Sequence, residues 1–206
     1  MAMTLIKWVG ANSANFGIGR SGKTVNKVVI HWIVGTLGAA DLTFQDPKRI
    51  ASAHYGIGQN EIHQYVKEED TAYHCGHLTA NRESIGIEHE GGPDIPISDA
   101  VYANSAQLVK WVCGRYNIPI DKDHILPHKF FKATQCQGTF DIDRLIREIN
   151  QKDVSDDAKK ALDFVTTHRG ESNLEGAVRE WFGAYEAKPA LESKANRLTA
   201  LIDNLN

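Results

Sequence analysis

The sequence predicts an α/β fold in which helices flank a mixed central β-sheet, followed by a small helical unit at the C terminus. Two observations support this fold. Across residues 27–150, short apolar runs rich in β-branched residues alternate with segments of helical periodicity. After residue 150 the strand-like runs stop and only helical patterns remain. We therefore expect two parts, an α/β domain over residues 1–150 and a C-terminal unit over residues 151–206.

The first predicted elements follow in order along the chain. Residues 27–33 form an apolar run, which predicts a strand covered on both faces. Asp46 and Pro47 provide a helix cap and a first-turn proline, which predicts a short helix through about residue 52. Residues 54–58 and 61–66 flank a Gln-Asn pair, which predicts a β-hairpin.

The next three elements are predicted from alternation and from capping residues. Residues 84–90 alternate, so that the two isoleucines share one face of a strand and Glu88 lies on the other. Ser98 caps a helix with one apolar stripe, and Pro119 lies just past its end. Asp141 starts a last helix, which runs to about residue 150.

Residues 151–206 predict three short helices. Ser155 caps the first, Ser172 and Glu175 form a capping box for the second, and Pro189 separates the second from the third. About fifty residues is near the lower limit for an independent core. We therefore expect this unit to dock on the first part or to self-associate.

Composition and charge exclude several classes of protein. The net charge of −3 and a pI of about 6.3 give no basic field to attract nucleic acid or anionic lipid. No apolar run approaches a membrane span, and the first residues lack a signal-peptide pattern. Three cysteines, an odd number, argue against a disulfide framework. We expect cytoplasmic synthesis, with no nucleic-acid partner and no membrane insertion.

One stretch resembles a phosphate-binding loop. Residues 17–24 read GIGRSGKT, which fits G-x-x-x-x-G-K-[ST]. That motif needs a strand before the glycines and a helix after them, because the helix N-terminus holds the phosphate. Here a strand-like run follows instead, so we interpret residues 17–24 as a flexible loop.

Three side chains are candidates for a zinc site. His31 lies inside the apolar run VVIHWIV, and His128 and Cys136 lie close together in HKFFKATQC. Imidazole nitrogen and thiolate both bind zinc well, and a catalytic site uses three protein ligands so that a fourth position stays open. His31 alone could equally be a buried core histidine. Eight of the nine histidines lie between positions 31 and 128. Not all eight can be ligands, and four are expected to be loop or face residues instead: His63, His77, His89 and His124.

The surrounding motifs resemble one family over about residues 20–150. The chain is similar to the zinc-dependent N-acetylmuramoyl-L-alanine amidases, which share their fold with peptidoglycan-recognition proteins and with amidase-type phage endolysins. The motifs occur in the family's order and spacing. They are VVIHW (28–32), SAHYGIG (52–58), HQYV (63–66), DTAYHCG (70–76), NRESIGIEHEGGP (81–93) and HKFFKATQC (128–136).

The resemblance implies a metal centre and a mechanism. It implies that His31, His128 and Cys136 bind Zn²⁺, which lowers the pKa of a bound water and polarises the amide carbonyl. Glu88 matches the family's catalytic glutamate, which would act first as a base and then as an acid. The alternative for Glu88 is a solvent-facing carboxylate on a strand. Thr134 stands where many members have a lysine, so its hydroxyl is the candidate for stabilising the oxyanion.

The resemblance also implies substrate contacts. Trp32 is a candidate substrate-binding residue, and His54 and His74 occupy family positions that face the substrate groove. Members resembling the short phage lysozymes have a tyrosine where this chain has Ala53. Proton transfer is therefore expected to fall on Glu88.

Three functions follow as expectations. The first is a peptidoglycan hydrolase that cleaves the amide between N-acetylmuramic acid and L-alanine, most simply a phage endolysin that acts on the cell wall after release from the cytoplasm. The second is a cytosolic amidase that recycles soluble muropeptides. The third is a non-catalytic peptidoglycan-recognition module, although such relatives typically lack the cysteine ligand.

Residues 151–206 would then be a wall-targeting module or a structural appendage. Their eight basic and ten acidic residues argue against purely electrostatic attraction to anionic wall polymers.

Overall fold

A six-stranded mixed sheet forms the centre of the domain. The computed structural model describes residues 5–150. In chain order the strands of this sheet are β1 (Ile6–Trp8), β3 (Lys27–Trp32), β4 (Tyr55–Ile57), β5 (Ile62–Gln64), β7 (Ser84–His89) and β8 (Ile125–Pro127). Their spatial order is β1-β5-β4-β7-β3-β8. Only the β4–β5 hairpin is antiparallel. A separate antiparallel pair joins β2 (Phe16–Gly17) to β6 (Thr71–Ala72).

Four α-helices flank the sheet, and they are α1 (Leu37–Gln45), α2 (Leu78–Glu83), α3 (Asp99–Tyr116) and α4 (Ile142–Asn150). Ser98 caps α3, because its hydroxyl accepts a hydrogen bond from the backbone N–H of Val101. Asn117 ends α3 in the left-handed conformation. No helix within residues 5–150 combines the length and apolar character that crossing a bilayer requires. The predicted α/β class with a mixed sheet is confirmed.

The two faces of the sheet differ in chemistry. Val28 and Ile30 of β3 and Ile85 and Ile87 of β7 are fully buried in the main core, which also contains the apolar stripes of α3 and α4. The alternate positions of these strands point to the opposite face. That face carries the polar side chains of His31 and Glu88. The alternation predicted for residues 84–90 is therefore confirmed.

One predicted helix is wrong. Residues 46–52 are not helical, and Asp46 ends α1 instead, since its backbone N–H donates to the Leu42 carbonyl. The Asp46 carboxylate accepts from the backbone N–H of Lys48, which makes a local turn. An Asp-Pro pair can follow a helix as well as start one, because the residue before a proline is biased away from the helical conformation.

The loop that resembles a phosphate-binding motif has a structural role. No helix follows its glycines, and β3 comes next instead. Arg20, at the centre of the loop, is buried, and its guanidinium donates to four backbone carbonyls. The accepting residues are Glu68, Asn81, Arg82 and Ser84. The loop is therefore fastened to the domain by one arginine side chain.

Residues 151–206 lie outside the described residues. The three helices predicted there, and the division of the chain at residue 150, remain predictions.

Candidate metal centre and active site

Three parallel strands bring the candidate site together. β7, β3 and β8 are neighbours, so their carboxyl ends meet at one edge of the sheet. His31 lies near the end of β3 and pairs in register with Glu88 of β7. His128 begins the 3-10 turn His128–Phe130 directly after β8. Cys136 follows in the next loop. Parallel pairing thus gathers residues that are far apart in the sequence.

The three predicted ligands lie together. The donor atoms of His31, His128 and Cys136 are all within 4.8 Å of one another. Cys136 Sγ is 3.6 Å from His31 Nδ1. Tetrahedral zinc, with one nitrogen and one sulfur at their usual bond lengths, would separate those two atoms by about 3.6 Å. Both ring nitrogens of His128 are buried and neither makes a hydrogen bond of good geometry. The donor set and its unsatisfied imidazole fit a zinc ion.

Burial sets the protonation of these groups. Desolvation lowers the pKa of His31 well below its usual range, with the neighbouring His74 and His128 as smaller causes. Burial also lowers the pKa of His128, and it raises the pKa of the Cys136 thiol to about 11. The backbone N–H of Trp32 lies 3.4 Å from Cys136 Sγ, where it can donate to a thiolate. A divalent cation would favour neutral imidazoles and a thiolate, which is the form that binds metal.

Glu88 lies beside the ligands. Its Oε1 is 4.0 Å from His31 Nδ1, and its side chain is only 16% exposed. Oε2 is buried and has no hydrogen-bond partner. Desolvation raises the pKa of this carboxyl to about 8. The structure therefore does not support the alternative of a solvent-facing strand carboxylate.

Thr134 and Trp32 both touch Cys136. The Thr134 hydroxyl oxygen accepts a hydrogen bond from the backbone N–H of Cys136, and its side chain is partly exposed. Trp32 is also partly exposed, and its ring packs directly against Gly138. Gly138 has a φ of +54°, and a Cβ at that position would fall 1.9 Å from the ring. The loop that carries Cys136 is thus fitted closely to Trp32.

The predicted groove positions of His54 and His74 do not match their burial. His54 has no exposed surface, and its Nδ1 accepts from the backbone N–H of Gly86. Its Nε2 lies 2.9 Å from Arg20 Nη2 and 3.3 Å from the Asp70 carbonyl oxygen. Burial lowers the pKa of His54 to about 3. These contacts belong to a histidine in the interior of the domain.

His74 lies behind the candidate metal ligands. Its Nδ1 is 3.0 Å from His31 Nε2 and 3.2 Å from Cys75 Sγ. His31, His74 and Cys75 therefore form a second close group of donors, and all three are buried. Neither Cys75 nor this second group was found from the sequence. The motif DTAYHCG placed a histidine beside a cysteine, but nothing in the sequence said that they reach His31.

Two of the four histidines that were expected to be loop or face residues are buried on strands. His89 is fully buried, with Nδ1 at 3.0 Å from the His31 carbonyl oxygen and Nε2 at 2.8 Å from Ser105 Oγ. His63 is also buried, and its Nδ1 lies 2.8 Å from the Asp41 carboxylate. Both lie on strands, and each is held by a partner from a distant part of the chain. By contrast, His77 is exposed and His124 is partly exposed.

These features define a class of protein, an α/β domain with three candidate metal donors at the carboxyl ends of parallel strands and a buried carboxylate beside them. The chain belongs to the N-acetylmuramoyl-L-alanine amidase family, whose model matches residues 11–139. The expected family is therefore confirmed.

Two curated relatives carry the same family name. N-acetylmuramoyl-L-alanine amidase A of Achromobacter lyticus is 32% identical over 115 residues, which are 54% of this chain and 63% of that protein. N-acetylmuramoyl-L-alanine amidase XlyA of Bacillus subtilis is 27% identical over 116 residues, which are 53% of this chain and 38% of that protein. The chain therefore spans less than two thirds of the length of each.

Solved structures show the same fold. A mutant endolysin from Bacillus subtilis superposes with a TM-score of 0.60 at 22% identity, covering 72% of this chain and all of that one. The catalytic domain of XlyA gives a TM-score of 0.58, also at 22% identity, covering 71% of this chain and 99% of that one.

Proposed function

We propose that this protein is a zinc-dependent peptidoglycan hydrolase that cleaves the amide between N-acetylmuramic acid and L-alanine. The observation that carries the proposal is the cluster of His31, His128 and Cys136 with Glu88 beside it, in a chain of the amidase family. The names of the curated relatives support the same bond as substrate. When bound, zinc would act as a Lewis acid that acidifies a water molecule and polarises the amide carbonyl.

Glu88 is the proposed proton carrier. Its carboxylate would accept a proton from the attacking water and then give it to the departing amine nitrogen, which is a poor leaving group until it is protonated. Burial and the unpartnered Oε2 support this role, because no other group within residues 5–150 holds that oxygen. The pKa of about 8 applies without a metal ion. A cation at the three ligands would favour the carboxylate, which is the form that acts as a base.

Thr134 and Trp32 complete the proposed site. The Thr134 hydroxyl oxygen already accepts from the Cys136 backbone, so its hydrogen can be donated to the oxyanion that forms on the carbonyl. Trp32 can contact substrate with its partly exposed ring. His54 and His74 are not part of the proposed substrate surface, because both are buried.

The substrate is best tested with intact cell wall. The full-length protein is incubated with purified sacculi, and the products are analysed by mass spectrometry. A new L-alanine amino terminus is expected. Clearing of whole peptidoglycan in a zymogram supports the lytic, endolysin-type role, whereas cleavage of soluble muropeptides alone supports recycling. Binding without any cleavage would contradict an enzymatic role.

The role of Glu88 is tested against a neighbouring carboxylate. Glu88→Gln keeps the shape of the side chain but removes its proton transfer, so turnover should fall by about 10²- to 10⁴-fold while zinc stays bound. Glu90 lies two residues further along the chain and serves as the control, since Glu90→Gln should do much less. If Glu90→Gln is the more damaging change, the catalytic carboxylate has been assigned wrongly.

We propose two alternative roles for residues 151–206, targeting to the wall or bracing of the catalytic domain. A protein truncated after Asn150 distinguishes them. If the segment targets the wall, the truncated protein should lose sedimentation with sacculi but still cleave soluble muropeptides. If the segment is a brace, binding should persist and the melting temperature should fall. Unchanged binding together with unchanged melting would contradict both.

A further inference from the structure

A hydrogen-bond network runs from Nε2 of His31 to the backbone of α2. Its members are His31, His74, Ser84 and the carbonyl of Ala80. His31 Nε2 lies 3.0 Å from His74 Nδ1, and His74 Nε2 lies 3.2 Å from Ser84 Oγ. The Ser84 hydroxyl donates to the Ala80 carbonyl oxygen at 2.6 Å. His31 and Ser84 are buried completely or nearly so, and His74 is only 7% exposed.

The last bond of this network, from Ser84 to Ala80, fixes the direction of all the others. A carbonyl oxygen can only accept, so the single hydroxyl hydrogen of Ser84 is committed to Ala80. Towards His74 the Ser84 oxygen can then only accept, and His74 must carry its hydrogen on Nε2. In a neutral ring this leaves His74 Nδ1 as an acceptor, so His31 must donate from Nε2. The remaining nitrogen of His31, Nδ1, is left with a free lone pair.

That lone pair points at the metal donors. His31 Nδ1 is the atom that lies 3.6 Å from Cys136 Sγ and 4.0 Å from Glu88 Oε1. We propose that His74 and Ser84 are positioning residues that hold His31 in the Nε2–H tautomer, so that Nδ1 is ready to bind the metal ion. This inference rests on the proposed function, because it concerns the same metal centre.

The contact with Cys75 agrees with this direction. Cys75 Sγ lies 3.2 Å from His74 Nδ1, and a thiol can donate to an acceptor at that position. Ser84 is the other hydrogen-bond neighbour of the Cys75 thiol, so this contact is compatible with the direction but does not fix it. The competing interpretation is that His31, His74 and Cys75 bind a second metal ion, with His31 shared between the two sites.

The tautomers can be measured directly in the metal-free full-length protein. Long-range ¹H–¹⁵N correlation spectra distinguish Nδ1–H from Nε2–H rings, and we expect Nε2–H for both His31 and His74. A His31 ring protonated on Nδ1 would overturn the proposal. This measurement needs no variant, so it decides the proposal even if a substituted protein fails to fold.

A matched pair of variants then tests the effect on metal binding. His74→Asn keeps an acceptor near the position of Nδ1, whereas His74→Leu has nearly the same shape and no acceptor. Zinc affinity, measured by competition with a chelator, should fall by about 10- to 100-fold in His74→Leu and largely recover in His74→Asn. Equal affinities in the two variants would mean that His74 only fills space.

Ser84→Ala tests the Ser84 end of the hydrogen-bond network, and Ser105→Ala is its control. Both substitutions remove a buried serine that bonds to a histidine Nε2, but Ser105 bonds to His89, which meets His31 at its backbone carbonyl and not at its ring. Only Ser84→Ala should weaken zinc binding and allow the Nδ1–H tautomer at His74.

Two zinc ions per chain in the unaltered protein would replace the proposal with the shared-ligand site. Uptake of no zinc would instead contradict the metal centre itself.

Discussion

Replacing Glu88 with glutamine should stabilise the metal-free protein, and the gain should grow as the pH rises. In the folded chain the pKa of this carboxyl is raised to about 8 by burial, whereas in the unfolded chain it is close to the ordinary 4.5. The folded state therefore holds this proton more tightly. The contribution of Glu88 to stability is complete below about pH 4.5 and is lost as the pH rises to about 8. Glutamine has no such dependence.

The size of the effect follows from the two pKa values. Each pKa unit corresponds to about 1.4 kcal/mol, so the difference between them gives an upper limit of about 5 kcal/mol. Water penetration and small movements of the site reduce such penalties. We expect Glu88→Gln to be more stable than the unaltered protein by about 2 to 4 kcal/mol above pH 8, and by less than about 1 kcal/mol near pH 5.

Urea unfolding of both proteins in the presence of a chelator measures this difference. The histidines whose pKa is lowered by burial also make stability depend on pH, but they are common to both proteins and cancel in the comparison. Glu90→Gln, the same change two residues further along the sequence, is the control. A Glu88→Gln difference that is the same near pH 5 and above pH 8 would refute the idea that a buried, desolvated carboxyl stands beside the candidate ligands.

Three further substitutions test the metal loop and the fold. Cys136→Ala should lose both zinc and activity, whereas the unaltered protein should contain about one zinc per chain by metal analysis. Gly138→Ala should cost about 3 kcal/mol in urea unfolding, because the new methyl group would enter the Trp32 ring. The control Gly19→Ala also has a positive φ but open space around it, so its cost should be only about 1 kcal/mol. Arg20→Met should cost at least about 3 kcal/mol because it leaves buried carbonyls without a donor; if it costs no more than a surface substitution, the arginine does not fasten the loop.

Local pattern was enough to predict the elements that carry strong periodicity or a clear cap. The strand through His31, the hairpin and the helix capped by Ser98 all formed where they were expected. Helix α1 was missed because its strongest signal, Asp46-Pro47, stands at the helix end and was assigned to a start. The sequence alone could not decide between the two positions, because either is compatible with the same pair of residues.

The candidate ligands were identifiable from the resemblance, but the side chains that pack behind them were not. His31, His74 and His54 look alike in the sequence as histidines in mostly apolar segments. What separates a ligand from a supporting ring is its partner, and these partners come from distant parts of the chain. His54 contacts Arg20, 34 positions away in the sequence, and His31 contacts His74, 43 positions away. No spacing rule for helices or strands reaches that far.

Gly86 links the alternating pattern of β7 to the candidate metal ligands. It lies on the same face of β7 as Glu88, directly behind the site, and a Cβ there would fall 2.4 Å from Cγ of His74. The missing side chain leaves the space in which the His74 ring reaches His31. In IGIEHEG the two isoleucines pack in the core. Gly86 leaves room for the His74 ring, and Glu88 lies beside the candidate ligand His31. One alternating strand thus supplies packing on one face and the arrangement of the proposed metal centre on the other.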